Sequence, residues 1–417
     1  MTDTGPSKCR FCNDNLEHSF ADLGLSPLCQ THIKPEELNN AEYYYPLHAY
    51  VCTSCWLVQL EEFVSPDDIF SDYDYFSSYS TSWVEHARKY VEYVSDRFSL
   101  GKDSAVFEIA SNDGYLLQHF VKAGVPVLGI EPAENIAKVA NEKGIRTTVC
   151  FHGQASATKN VEAYGKADLV LGNNVLAHVP DINDFISGLK TLLKDDGVIT
   201  MEFPHLLQLI DQNQFDTIYH EHFSYLSFLT VEKMFKHHGL TLFDVQEIPT
   251  HGGSLRIFGR HTESEAHAVT DNVTQLRDKE LGFGLGSLDV YLAFQEKVKK
   301  TKRDLLKFLI EKKEEGKSIV AYGAPGKGNT LLNYCAIRED FVDFTVDMSP
   351  QKQGKYTPGC RLPILHPDAI KEHKPDYILI LPWNLTKEIV GQNEDVFEWG
   401  GKFVRPIPEV CIIDKPQ

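Results

Sequence analysis

Four cysteines stand in two C-x-x-C pairs, Cys9/Cys12 and Cys52/Cys55. Each tight knuckle can present two thiolates to one ion, and four thiolates in a tetrahedron suit Zn²⁺. Four protein ligands leave no open coordination position, so the expected role of the metal is structural. A redox C-x-x-C would not account for two copies. His48 is close in sequence but is expected outside the ligand set. Cys29, Cys150, Cys335, Cys360 and Cys411 are expected to be ordinary packed or surface thiols.

A second group of residues could hold a nucleoside. Residues 106–117 read VFEIASNDGYLL: a strand carrying Glu108, then a small-polar-Gly turn with Ser111, Asn112 and Gly114, then Leu116 at the start of a helix. Glu131 closes the next strand (GIEP), placed to accept both ribose hydroxyls of an adenosine. Neither G-x-G-x-x-G nor G-x-x-x-x-G-K-[ST] occurs here. A turn without phosphate-cradling glycines suits an adenosyl ligand without phosphates, such as S-adenosylmethionine (SAM). In ADLVLGNNVLAHVPD, residues 167–181, a strand ends in Asn173 and Asn174 with His178 following, at the lip of the sheet where ligands bind. The competing reading is another doubly wound domain with a coincidental acid at Glu131.

A third group could move protons. Residues 219–225 read YHEHFSY. This is not H-E-x-x-H, because His220 and His222 are two apart and cannot share a helical face. In a strand or extended loop they would point the same way. An acid–base cluster and a satisfied polar patch both remain open. The phenols of SDYDYFSSYS, residues 71–80, can hydrogen-bond a sugar or enolate oxygen, or simply pack. Further along, Lys327, Asn329 and Thr330 sit on a glycine turn that opens a helix, where backbone N–H groups attract anions and Lys327 would add charge for a diphosphate. The alternative is a nucleotide-type fold without a ligand. Lys327 precedes Gly328, which departs from the Walker pattern and speaks against ATP hydrolysis.

These groups need elements to hold them. Residues 105–109, 125–130, 168–171 and 197–203 read as strands, with helices opening at 116–121 and spanning 185–193. Ser287 is placed to cap a long helix running to about residue 317, with Leu288, Tyr291, Leu292, Val298, Leu305, Leu306 and Leu309 near helical spacing and a solvated face of Lys297, Lys299, Lys300, Lys302 and Arg303. Then come a strand at 318–322, the glycine turn 323–328, a helix opening at 330–335, and strands at 343–346 and 376–381. Strands alternating with helices predict mostly parallel sheets. Two strand–glycine turn–helix units, near Gly114 and Gly323, predict two doubly wound, Rossmann-like α/β lobes.

The chain has 417 residues, 42% hydrophobic and 24% charged, which fits several globular domains. Its 41 basic and 59 acidic residues give −18, a charge that repels nucleic-acid phosphates and anionic membranes. No apolar run spans a bilayer, and the first residues lack the apolar core of a secretory signal. Nine thinly spread cysteines fit a reducing cytoplasm.

Taken together, the Cys9/Cys12/Cys52/Cys55 quartet, DYFSSYS, EIASNDGYLL, GNNVLAHVPD, YHEHFSYLS, HGGSLR at 251–256 and YGAPGKGNTLLN at 322–333 make the chain similar to the SAM-dependent sugar C-methyltransferases over nearly its whole length. Ala110 departs from the glycine often found in related methyltransferases, and its small side chain leaves SAM binding intact. The resemblance implies a zinc-binding N-terminal domain (1–80), a SAM-dependent methyltransferase domain (81–285) and a C-terminal Rossmann-like domain (286–417) that helps hold a nucleotide-sugar. It implies methyl transfer to C-3 of a dTDP-type 4-keto-6-deoxy sugar, with Gly253 and Ser254 joining Lys327, Asn329 and Thr330 on the substrate.

Carbon becomes a nucleophile only after a proton beside the ketone is removed, so such a site needs a base and an oxyanion donor. His222 is the expected base, in agreement with the family pattern, with Glu221 and Tyr219 orienting it or relaying the proton and His178 assisting. Among Tyr73, Tyr75 and Tyr79, the last two are favoured for capping the sugar. No catalytic metal is required, and a monomer is expected. Transfer to a sugar oxygen or amine, and a non-enzymatic zinc-bearing scaffold, are the competing functions.

Overall fold

The structure, a computed structural model, describes residues 7–65 and 76–414. Packing groups the chain into two compact units, one of residues 1–17, 52–207 and 223–286, the other of residues 18–51, 208–222 and 287–417.

The first unit is built on a seven-stranded sheet. From edge to edge its strands are Leu240–Ile248, Ser254–His261, Leu193–Pro204, Ala167–Asn173, Val106–Ile109, Val127–Glu131 and Thr147–Val149. The last five run parallel, and Ser254–His261 is antiparallel to both of its neighbours. Chain order reverses between Val106–Ile109 and Ala167–Asn173, which makes the carboxyl ends of those two strands the topological switch point where ligands bind in such sheets.

The parallel strands are short, apolar and buried on both faces, as VFEI shows with all four residues inside. Helices cover them by the 3.6-residue rule. Ile182–Leu192 starts at Asp181, whose carboxylate accepts the Asp184 N–H at 2.9 Å, and it buries Ile182, Phe185, Ile186, Leu189 and Leu192 along one stripe. Thr81–Phe98 is capped by the Ser80 hydroxyl and sends Ala87, Tyr90, Val91 and Val94 into the core with Phe120, Phe243 and Phe258. The expected strands and helices of this unit are all present, within a few residues. The hairpin Leu240–Ile248/Ser254–His261 was not anticipated.

The second unit carries a six-stranded sheet in the order Ile364–Leu365, Thr345–Val346, Ile319–Tyr322, Tyr377–Ile380, Lys402–Arg405, Cys411–Ile413, parallel except for the last strand. The helix after the glycine turn is Gly326–Cys335 and begins four residues earlier than expected, because Pro325 supplies the extended residue before the first turn. The long helix is Leu288–Glu314, with Ser287 at its cap position but making no side-chain cap bond. Its buried stripe is Tyr291, Phe294, Val298, Thr301, Leu305 and Leu309, whereas Leu292 faces solvent. Phe294 stacks at 4.6 Å on Phe20 of the hairpin strand His18–Ser26, which pairs with Tyr45–Val51. Among the described residues, no helix is long and apolar enough to cross a membrane.

Gly114 is the tightest point of the first unit. Its φ is +78°, and a Cβ there would stand 2.3 Å from Ile145 Cδ1. Gly114→Ala is therefore expected to destabilise the protein by about 1–3 kcal/mol, through the left-handed backbone more than the clash, and to lower the melting temperature in calorimetry.

Candidate functional site

The turn after Val106–Ile109 places three residues in the left-handed region: Ala110 at φ 54°, Asn112 at φ 50° and Gly114 at φ 78°. Alanine at the first costs about 1 kcal/mol relative to glycine. The turn is held open by the acid on the neighbouring strand. Glu131 Oε2 accepts the Asn112 N–H at 2.9 Å and Oε1 accepts the Ala133 N–H at 3.0 Å. Each carboxylate oxygen has two lone pairs, so the clasp leaves acceptor capacity for a diol. Burial raises the Glu131 pKa, and the two N–H bonds oppose that rise.

Glu108 is buried, and neither of its carboxylate oxygens has a hydrogen-bond partner among the described residues. Burial, followed by the charges of Glu131 and Asp113, pushes its pKa well above the ordinary range. Asp113 is paired with Lys143 at 2.9 Å. Ser111 is buried beside them, and Leu116 packs in the core below the turn. An unpaired buried acid close to a clasped carboxylate, at a switch point, fits a cationic ligand that carries a ribose; SAM has both features. Glu108, Ser111, Asn112, Gly114 and Glu131 are thus brought together as expected.

Asn173 and Asn174 end the strand across the switch point, and the Asn174 N–H donates to the Glu202 carbonyl at 2.8 Å. His178 follows in the short helix Leu176–His178. A polar row missing from the sequence reading lies alongside. Glu202 is the register partner of both Asn173 and Arg256, accepts Arg256 Nε–H at 2.7 Å and stands 2.9 Å from His86 Nε2. Burial pushes Glu202 upward, but the His86 hydrogen bond and the Arg256 charge outweigh it and hold the group below the usual carboxylate range. The His86 ring stacks at 4.9 Å on Trp83, which packs at 6.2 Å on Tyr115. The alternating LTLFDVQEI and SLRIFGRH around PTHGG were the available signal for this hairpin and its arginine. Gly253 has φ 115°, and the Ser254 hydroxyl donates to the Thr250 carbonyl at 2.9 Å.

The metal knuckles belong to the same unit. All four Sγ atoms of Cys9, Cys12, Cys52 and Cys55 lie within 4.8 Å of one another, with Cys9–Cys55 at 3.6 Å and Cys12–Cys52 at 3.4 Å. A tetrahedron of Zn–S bonds near 2.3 Å sets sulfurs about 3.8 Å apart, so the thiolates fit zinc. The knuckles are built alike: Asn13 N–H donates to the Cys9 carbonyl and Trp56 N–H to the Cys52 carbonyl, and both donors have left-handed φ, 63° and 68°. Gln59 Nε2 donates to Cys9 Sγ at 3.2 Å. His48 is engaged elsewhere, 2.8 Å from the Ser19 hydroxyl.

The YHEH segment belongs to the second unit. It is a turn rather than an extended strand, with the His222 N–H donating to the Tyr219 carbonyl at 2.9 Å. His220 and His222 consequently make different contacts instead of pointing the same way. His220 Nε2 bonds the Pro46 carbonyl at 3.1 Å, and burial lowers its pKa. His222 Nδ1 is 2.7 Å from the Thr217 carbonyl. A carbonyl only accepts, so Nδ1 carries a proton. The Tyr219 ring lies 3.9 Å from that of His222, and buried Glu221 accepts from the Cys29 thiol at 3.4 Å.

The helix Gly326–Cys335 supports this turn. Thr330 Oγ1 donates to the Ile218 carbonyl at 3.1 Å. Lys327 Nζ donates to Asn384 Oδ1 at 2.8 Å and sits 4.9 Å from the Trp383 ring centroid. Trp383 Nε1 donates to Asp216 at 2.7 Å; burial pushes the Asp216 carboxyl up to about 7, against the pull of Lys327. Asn329 is buried. Tyr79 is exposed, in the turn Ser77–Tyr79, and Tyr73 and Tyr75 lie outside the described residues.

Residues 9–70 match the zinc binding domain family, 83–245 the methyltransferase domain family and 249–408 the C-methyltransferase C-terminal domain family. The C-methyltransferase NovU of Streptomyces niveus is 36% identical over 409 residues, 97% of this chain and 96% of that protein. A ubiquinone biosynthesis O-methyltransferase of Bartonella bacilliformis is 23% identical over 151 residues, 31% of this chain and 61% of that protein. Among solved structures, magnesium protoporphyrin IX methyltransferase (ChlM) of Synechocystis PCC 6803 with bound SAM overlaps 42% of this chain and 78% of its own, at 17% identity and a TM-score of 0.32.

Glu108 gives this site a pH signature. An acid whose folded pKa is raised binds its proton more tightly in the folded state, so its contribution to stability is lost as pH climbs from the unfolded value, near ~4.3, toward the folded one. Glu108→Gln removes that loss. The variant is expected to melt about 2–4 °C above the parent at pH 9 without ligand, with little difference at pH 5, in scanning calorimetry.

Proposed function

The chain belongs to the C-methyltransferase family and is a SAM-dependent methyltransferase, and from that premise we propose that its acceptor is carbon 3 of a nucleotide-linked, dTDP-type 4-keto-6-deoxy sugar. When bound, SAM supplies the electrophilic methyl group. The protein's own task is to make the acceptor carbon electron-rich and to keep it aligned.

The observation that carries this reading is the tautomer of His222. Its Nδ1–H is committed to the Thr217 carbonyl at 2.7 Å, and in the neutral tautomer so fixed Nε2 is the nitrogen that takes a proton. Transfer to a hydroxyl or amine has less need of such a base. Tyr219, with its ring against His222, and Glu221, held by Cys29, orient the imidazole or pass its proton on, and His178 assists from the short helix Leu176–His178. Tyr75 and Tyr79 cap the sugar. Lys327, Asn329 and Thr330, at the start of Gly326–Cys335, serve the diphosphate together with the helix N–H groups, and Gly253 and Ser254 contact the sugar. Glu108, Ser111, Asn112, Gly114, Leu116, Glu131, Asn173 and Asn174 form the SAM cradle, with Glu131 on the ribose and Glu108 facing the cationic end.

Enolisation can be observed apart from methyl transfer. With a 4-keto-6-deoxy sugar nucleotide in D₂O and no SAM, the protein is expected to wash deuterium into the carbon beside the ketone. His222→Asn is expected to slow this by about 10²–10⁴-fold with zinc content unchanged. A variant that exchanges and turns over like the parent removes His222 as the base.

A further inference from the structure

The six-stranded sheet of the second unit has a switch point of its own. Chain order reverses between Ile319–Tyr322 and Tyr377–Ile380, so a ligand of this lobe belongs beyond the carboxyl ends of those two strands. The turn that leaves the first of them is drawn tight at Gly323. Its φ is +87°, and a Cβ there would stand 2.6 Å from Pro382 Cδ, two residues past the end of the second strand.

An acid holds this turn much as Glu131 holds the turn of the first unit. Asp347 directly follows Thr345–Val346, the parallel neighbour of Ile319–Tyr322. Its Oδ2 accepts the Ala324 N–H at 2.7 Å, and its Oδ1 accepts the Ser349 N–H at 2.9 Å. Glu131 has the same place, at the end of the strand beside Val106–Ile109, and accepts the Asn112 N–H. In doubly wound sheets an acid at this place takes a hydroxyl of a nucleoside's sugar. The two clasps differ in one respect. Lys352 Nζ stands 3.6 Å from Asp347 Oδ2 and donates to the Ala324 carbonyl at 3.0 Å. Oδ1, with two lone pairs and one N–H, is the oxygen left with room. One such acceptor suits the single 3′-hydroxyl of a 2′-deoxyribose, whereas Glu131, with one N–H on each oxygen, suits a diol. A second, independent observation concerns Asn329 in the helix Gly326–Cys335. It is 4% exposed, and neither its Oδ1 nor its Nδ2 has a hydrogen-bond partner among the described residues. Its side chain lines a small cavity with His32, Ala324 and Leu381, at the carboxyl ends of the two switch-point strands. A buried amide without a partner is costly whichever way its two atoms are turned, and a polar ligand group relieves that cost. Ala324 joins the two observations, since it gives its N–H to Asp347 and lines the cavity with Asn329.

We propose that Asp347 binds the nucleoside of the sugar nucleotide, its carboxylate accepting the 3′-hydroxyl of a 2′-deoxyribose. The assignment rests on the nucleotide-linked acceptor proposed above and adds to it a residue outside the group formed by Lys327, Asn329 and Thr330. It gives the two lobes parallel tasks, each holding the sugar of one nucleoside with an acid that also shapes its turn.

The test is calorimetry of the full-length, zinc-loaded protein with thymidine diphosphate and with 2′,3′-dideoxythymidine diphosphate, which lacks only the 3′-hydroxyl. The parent is expected to bind the first about tenfold more tightly, the scale of one hydrogen bond to a charged acceptor. Deleting the hydroxyl from the ligand leaves the protein intact, so this comparison does not depend on any variant folding. Asp347→Asn keeps the side chain's shape and exchanges the charged acceptor for a neutral one, and Asp347→Ala removes the acceptor. The preference is expected to fall to about threefold or less in the first and to within about twofold in the second. A parent that binds the two diphosphates within about twofold of each other overturns the assignment. So does a tenfold preference that persists in either variant, because Asp347 then does no more than prop the turn. A parent that binds SAM but neither diphosphate overturns the proposed nucleotide-linked acceptor itself, and this inference with it.

Discussion

The Glu131 carboxylate, clasped by the N–H groups of Asn112 and Ala133, is the contact on which the rest of the site depends. It ties the turn after one strand to the end of the next and settles where the backbone of residues 110–114 can go. That path demands left-handed conformations at Ala110, Asn112 and Gly114, and it leaves Glu108 buried with no hydrogen-bond partner among the described residues. A fold that holds an uncompensated acid in its interior carries a free-energy cost. A cationic, ribose-bearing ligand is the group that would repay it, by meeting Glu108 with charge and Glu131 with hydroxyls.

Within each unit the chain arranges protons by means of partners that can only donate or only accept. In the second unit the Thr217 carbonyl fixes a proton on His222 Nδ1, and in the first unit His251 Nε2 lies 3.0 Å from the Asn174 amide nitrogen. The first follows from the chemistry of the partner atom, because a carbonyl only accepts. Glu202 illustrates the contrasting device, a buried carboxylate kept ionised by Arg256 and His86. The zinc knuckles contribute differently. Thiolates spaced for a tetrahedral ion give residues 9–12 and 52–55, far apart in sequence, a common anchor.

Much of this was legible in the residue order. The cysteine spacing specified the metal centre because a C-x-x-C knuckle fixes its own geometry. The buried parallel strands declared themselves as short apolar runs, and Glu131 stood at the end of one of them. Other features depended on contacts between distant segments. Nothing local says that residues 18–51 and 208–222 pack with 287–417. The YHEH turn could not be told from an extended segment, because its hydrogen bond from His222 to Tyr219 leaves no mark in composition. Leu292 and Phe294 show the limit of a periodicity count, since both lie near the apolar stripe and only packing against Phe20 selects Phe294. The Glu202–Arg256–His86 row escaped notice because it is assembled by register across three strands and a helix.

The central claim is that the new bond is made to carbon, and the most direct measurement is the fate of a ¹³C-labelled methyl group. SAM labelled in its methyl carbon, incubated with the enzyme and a 4-keto-6-deoxy sugar nucleotide, is predicted to give a product whose labelled methyl shows one-bond carbon–carbon coupling, in a uniformly labelled sugar, to the ring carbon next to the ketone. A labelled methyl carried on oxygen or nitrogen, with no such coupling, would contradict the account.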